Sequence, residues 1–258
     1  MDALSSRWRR ARNARRWWLL LTPLLALAIA GCGDEARQAS CGGTPQPATA
    51  AAGNLFSNPS FEEGRGPWFS LETAGWGKAF SASTAAARSG ASSALLELRS
   101  EEAGADPARV YGVVQEINPA QFPDVLSGSY CVERWEQGTP KQYLQFVVIV
   151  HGARNIPPEV ASATNHQIRY VLAGVDEQPI QISNARYVLV GRGEPQLGTW
   201  VSFERNIRED FRELWGSVPE GYAKLRFLFE VRWDDRQPSD SPSSADVYYD
   251  DLFVGPAG

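Results

Sequence analysis

From Asn54 onward the apolar residues come in short runs, rich in β-branched and aromatic side chains and cut apart by Gly, Pro, Asp and Ser. This pattern restricts the fold more than any other feature. Residues 94–98, 110–117, 128–135, 143–150, 167–172, 185–190, 200–205, 225–233 and 247–254 read as strands. The run 143–150 is almost continuously apolar, as in a strand covered on both faces. Residues 128–135 alternate instead, which predicts Tyr130, Val132 and Arg134 on one face and Cys131, Glu133 and Trp135 on the other. Only residues 208–215 show helical spacing, through Phe211, Leu214 and Trp215. Many short strands and one short helix predict an all-β sandwich of two antiparallel sheets.

The N-terminus follows a different logic. Residues 1–18 carry six arginines against one acid, Asp2, and an apolar run extends from Trp17 to Ala30. At about 14 residues this run is short of the ~20 that a membrane-spanning helix needs, and it fits an export signal. It ends in Ile29, Ala30, Gly31 and Cys32, which resembles the lipobox of bacterial lipoproteins. The resemblance implies cleavage after Gly31, lipidation of Cys32 and a membrane anchor of two or three acyl chains. Gly33 follows the cysteine where an Asp would suggest retention in the inner membrane, so the cell envelope with outer-membrane placement is favoured. Residues 1–31 are thus a signal peptide. Residues 32–53, small and polar, are a lipidated cysteine and flexible tether, and 54–258 form the folded domain.

Cleavage would lower the basic residues from 25 to 19 and the acidic ones from 30 to 29, a net charge of about −10. Such a chain repels phosphate backbones, which argues against nucleic acid as a partner. The two histidines, His151 and His166, have no metal-ligand spacing. An oxidising compartment permits a disulfide between Cys41 and Cys131, but the reading favours Cys131 as a buried free thiol.

Two segments carry a further resemblance. Residues 54–62, Asn-Leu-Phe-Ser-Asn-Pro-Ser-Phe-Glu, are followed by Gly66, Pro67 and Trp68, and 247–254 read Val-Tyr-Tyr-Asp-Asp-Leu-Phe-Val. Together with residues 87–93, Gln115, 128–130 and 198–200 in order between them, they resemble carbohydrate-binding modules with the galactose-binding-like jelly-roll fold. The stretch 151–198 is longer than the family's pattern and reads as an added hairpin or extended loops. The resemblance implies a calcium ion tying first strand to last, with carboxylates from Glu62 and from Asp250 or Asp251. Asp250 and Asp251, adjacent on a strand, should point to opposite faces, so that one alone meets the ion.

It also implies non-catalytic binding of a polysaccharide or other glycan. Sugars stack an apolar face on aromatic rings and pair their hydroxyls with polar side chains. Trp76 in a glycine-flanked loop, and Trp135 and Trp233 at strand ends beside Arg134 and Arg232, are the candidate contacts; Trp68, Trp200 and Trp215 are assigned to packing. A structural or protein-binding lipoprotein on the same scaffold is the principal alternative. A glycan-active hydrolase or lyase, with Glu133 and Asp234 as acid and base, is a lesser one.

Overall fold

The computed structural model describes residues 40–43, 46–47, 51–72, 77–104, 106–158 and 164–258. The signal segment, Cys32 and Trp76 lie outside the described residues. Along the chain run β1 (Gly77–Lys78), β2 (Ser81–Ser83), β3 (Ser93–Arg99), β4 (Arg109–Ile117), β5 (Val125–Glu136) and β6 (Gln142–His151). Then come β7 (Asn165–Ala173), β8 (Ala185–Leu189), β9 (Trp200–Asn206), α1 (Ile207–Trp215), β10 (Lys224–Trp233) and β11 (Ser244–Gly255). They build an all-β sandwich of a six-stranded sheet, ordered β1-β4-β10-β6-β7-β8, and a five-stranded sheet, ordered β2-β3-β11-β5-β9. Pairing is antiparallel except for β1 with β4 and β7 with β8.

Two-residue periodicity fills the space between the sheets. β10 sends Leu225, Phe227, Phe229, Val231 and Trp233 into the core, and β6 sends Leu144, Phe146, Val148 and Val150. From the other sheet come Leu96 and Leu98, Val132, and Val247 and Tyr249. Phe229 lies within ring-contact range of Phe56, Trp68, Phe146, Phe203 and Tyr249. Phe146 stacks against Tyr170 and Phe203, at 4.5 Å and 4.7 Å between centroids. The outer side of β6 is buried as well, where Val147 and Ile149 join Val114 and Leu228 in a second apolar cluster. That double covering explains the unbroken apolar run.

Residues 54–56 and the closing strand meet as expected. The Leu55 N–H donates to the Val254 carbonyl at 2.8 Å, and Asn54 bonds β11 through its side chain at Leu252 and Val254. Helix α1 starts at Ile207, with Asn206 accepting the Glu209 N–H at 3.0 Å, and stops at Gly216, whose φ is 79°.

Three expectations are corrected. Cys131 is not free: it is joined to Cys41 across a sequence separation of 90. Both cysteines are buried beside Ala86 and Tyr248 on the outer side of the five-stranded sheet. The stretch read as a free spacer is therefore fastened at Cys41, whose carbonyl accepts from Trp200 Nε1 at 3.0 Å, and at Gln46, which bridges Ser89. The alternation of β5 does not run through. A bulge opposite Asp246 and Val247 makes Glu133 an extra residue, so Arg134 turns outward to Asp246 and Trp135 turns back toward the core. In the added stretch 151–198, β7 returns antiparallel along β6 and widens the sheet, and β8 pairs parallel to β7 after an extended loop.

Because the cross-link restricts a long loop of the unfolded chain, Cys131→Ser is expected to lower stability by about 3 kcal/mol, or roughly 6–12 °C in melting midpoint. Calorimetry under non-reducing conditions checks this, and an unchanged midpoint would mean that the cysteines are not paired.

Candidate functional site

The alternation that buries Phe227 and Phe229 also turns Arg226, Leu228, Glu230 and Arg232 to the outer face of the six-stranded sheet. Register sets their neighbours. Arg226 stands between Glu116 and Ile149, Leu228 between Val114 and Val147, and Glu230 between Gly112 and Gln145. β7 adds Asn165, Gln167 and Arg169 beside His151, Ile149 and Val147. On the far edge Phe69 exchanges backbone hydrogen bonds of 3.0 and 2.8 Å with Val114. The result is a groove of about 470 Å³. Phe69, Leu71, Ile149 and Leu228 give it apolar surface; His151, Asn165, Gln167, Arg169, Arg226, Glu230 and Arg232 give it polar groups. Phe69 is 37% exposed, an aromatic ring open to solvent beside this surface.

The polar groups are ordered by one another. Arg232 donates to both carboxylate oxygens of Asp234, at 2.9 and 2.6 Å, and to Glu230 at 3.3 Å. Burial opposes its charge, but Tyr143, Glu230 and Asp234 outweigh that and raise its pKa. Tyr143 donates to Asp234 at 2.7 Å, and Gln145 donates to Glu230. Burial acts against ionisation of Glu116, and hydrogen bonds from Lys224 and Arg226 overcome it and lower its pKa. His151 is pushed toward its neutral form, first by burial and then by the charges of Arg226 and Lys224.

Some groups here have no partner among the described residues. In the lining they are His151 Nε2 and Arg169 Nη1, both buried atoms; Gln145 Oε1 and the Tyr187 hydroxyl lie outside it. A buried polar atom without a partner costs about 1–3 kcal/mol. A larger cavity, about 600 Å³, lies among loops that include Lys141, Gly174, Asp176, Glu177 and Glu194. No aromatic ring and none of these unpartnered atoms lines it, and the groove is the better candidate.

The contacts expected from sequence fall differently. Trp233 is fully buried, packs on Tyr111 and donates to the Asp106 carbonyl at 3.2 Å, so it is core and not a sugar platform. Trp135 is half-buried against the core, and Arg134 pairs with Asp246 at 3.2 Å on the other sheet. Trp76 lies outside the described residues. Only Arg232 lines the groove. Trp68 is buried between Phe56 and Phe61, Trp200 is half-buried against the disulfide on the outer side of its sheet, and Trp215, the last residue of α1, sits under Arg186, so all three serve packing. Glu133 and Asp234 do not converge: Glu133 accepts from Tyr248 on the five-stranded sheet, while Asp234 is held by Arg232 and Tyr143 on the six-stranded one. Phe69, His151, Gln167, Arg169 and Arg226 were not picked out. Their signal was the polar/apolar alternation of β7 and β10, which marks an outward face without saying that it is a groove.

Glu62, Asp250 and Asp251 do meet at one loop, residues 88–92. Glu62 accepts the N–H groups of Ala91 and Ser92 at 2.8 and 2.9 Å. Asp250 accepts those of Arg88 and Ser89 at 2.7 and 3.2 Å. Asp251 accepts the hydroxyls of Ser60 and Ser89, at 3.0 and 2.5 Å. The two aspartates do not point to opposite faces, because Asp251 sits at φ 51° within an irregularity of the β5–β11 pairing. Calcium needs about six to eight oxygen ligands, whereas these lone pairs already take N–H and O–H donors. No group of three His, Cys, Asp or Glu side chains among the described residues is placed to hold an ion. For calcium to bind here, carbonyls of loop 88–92 would have to turn toward these carboxylates in place of its N–H groups.

The described residues thus define a two-sheet β-sandwich with a polar groove on one outer face. No protein-family model matches the chain, and none of the curated proteins matches it. Among solved structures it is similar to the carbohydrate-binding module TmCBM61 in complex with beta-1,4-galactotriose, at 11% identity and a TM-score of 0.40. That match covers 78% of this chain and 97% of the other.

Burial, then the charge of Asp251, pushes the Asp250 carboxyl up to about 7 from an ordinary 3.8. Between those values the folded protein keeps a proton that the unfolded chain has released. Stability is therefore predicted to fall as pH rises from about 4 to about 7 and to level off above it. Urea unfolding across this range should show the slope in the native protein and a flatter profile in Asp250→Asn. A second expectation is an equal melting midpoint with calcium and with chelator; a rise with calcium would show that the loop turns over to hold the ion.

Proposed function

We propose that this protein binds carbohydrate without chemical conversion, along the outer face of the six-stranded sheet, and is held to the bacterial envelope by lipid on Cys32. The observation that carries the binding reading is the pairing of an apolar shelf with a row of polar side chains in one groove. A pyranose has an apolar face for Phe69 and Leu228 and a hydroxyl rim for His151, Asn165 and Arg169. Two carboxylates in the groove network, Glu230 and Asp234, are both engaged by Arg232, which favours binding over acid–base chemistry.

The disulfide bears on the anchor. Lipid at Cys32 would leave only residues 33–40 before Cys41, a reach of about 30 Å. Cys41 lies on the outer side of the five-stranded sheet, and the groove is on the other sheet.

The full chain in mild detergent, screened against a glycan array, tests the binding. Phe69→Ala is expected to weaken retention about fivefold to tenfold. Trp135→Ala should leave it unchanged. Trp233→Ala should act on folding instead, at about 3–5 kcal/mol. Retention lost with Trp135→Ala but kept with Phe69→Ala would move the site to the other sheet. Lipidation is checked separately by incorporation of labelled fatty acid, expected to vanish in Cys32→Ser.

A further inference from the structure

The groove is positively charged in a chain whose net charge is −5. Its lining holds Arg169, Arg226 and Arg232 against a single carboxylate, Glu230. Arg232 is matched by Glu230 and Asp234. Arg226 shares Glu116 with Lys224, two cations on one anion. Arg169 has no carboxylate within ion-pair distance among the described residues. Its Nε and Nη2 donate to the neutral Gln167 Oε1 at 3.1 and 3.0 Å, and Nη1 is buried without a partner. Gln167 fixes the guanidinium in place while leaving its charge unanswered. Arg169 is half-buried, held in place, 5.9 Å from the Tyr187 ring and without a carboxylate, and such a guanidinium is the donor that a carboxylate seeks.

From this juxtaposition we infer that the groove takes an acidic glycan, with the carboxylate of a uronic acid on Arg169 and the sugar's hydroxyls at His151 and Asn165 in the same lining. The inference rests on the carbohydrate reading above and narrows it. A uronate supplies both needs of the groove at once, an anion for Arg169 and hydroxyl donors and acceptors for its uncharged neighbours. Arg169 and Gln167 come from β7, so this specificity belongs to the added stretch 151–198.

The test compares one polymer in two charge states. Polygalacturonate and its fully methyl-esterified form share a backbone and differ in charge. The full chain in detergent is expected to bind the free acid at least about tenfold more tightly than the ester. That preference should shrink as salt rises from about 0.05 M to about 0.5 M. Arg169→Gln should abolish the preference and leave residual binding to the ester, whereas Arg169→Lys should keep part of it. Equal binding of both forms, or binding of neutral glycans only with Arg169→Gln silent, overturns the inference while the carbohydrate site stands. No binding of any glycan, acidic or neutral, overturns both. The comparison of free acid with ester on the unmodified protein decides the matter even if the variants fail to fold.

Discussion

The register of β10 between β4 and β6 decides what this molecule has inside and what it has outside. Each of its residues from Leu225 to Trp233 is paired on both sides. With that register Phe227, Phe229, Val231 and Trp233 fall between the sheets, and Arg226, Leu228, Glu230 and Arg232 fall on the outer face. A slip of one residue would bury three charges and expose the aromatic centre, which no sandwich could sustain. The hydrophobic core and the groove are thus two faces of a single pairing. Mutations that loosen the core near Phe229 should disturb the groove through Leu228 and Glu230.

The groove is organised from within. Arg232 ties Glu230 to Asp234, Asp234 accepts from Tyr143, and Gln145 donates to Glu230. These bonds satisfy most of the polar groups that the sheet turns outward and hold them in fixed positions. What they leave over in the lining, at Arg169 and His151, lies beside a shelf of aliphatic carbon and one open phenyl ring. Rigid placement of a few unanswered donors and acceptors is the cheapest way for a shallow site to recognise a sugar, because little order has to be lost on binding.

The strand content was legible because nearly every strand alternates or is apolar throughout, and the helix because Phe211, Leu214 and Trp215 recur on one side. The short strands β1 and β2 were not, since neither Gly77–Lys78 nor Ser81–Ser83 has a hydrophobic pattern. The misplaced residues share a physical reason. At β5 a single extra residue, Glu133, reverses the alternation, so Trp135 and Arg134 exchange sides. At β11 a similar irregularity draws Asp250 and Asp251 to one loop. Trp233 looked available because charges flank it in sequence; in a strand those neighbours point the other way, and the ring is buried. The disulfide was out of reach because nothing in the spacing of Cys41 and Cys131 marks the crossing of residues 40–47 over the five-stranded sheet. The added stretch 151–198, read as a departure from the jelly-roll pattern, widens the sheet and supplies one wall of the groove.

The most direct measurement is a crystal structure of the protein with an oligosaccharide cut from whichever glycan it retains. The account predicts a sugar ring against Phe69 and Leu228, with polar contacts to Arg169 and His151. A sugar seated on the five-stranded sheet near Trp135, or among the loops around Asp176 and Glu194, would contradict it.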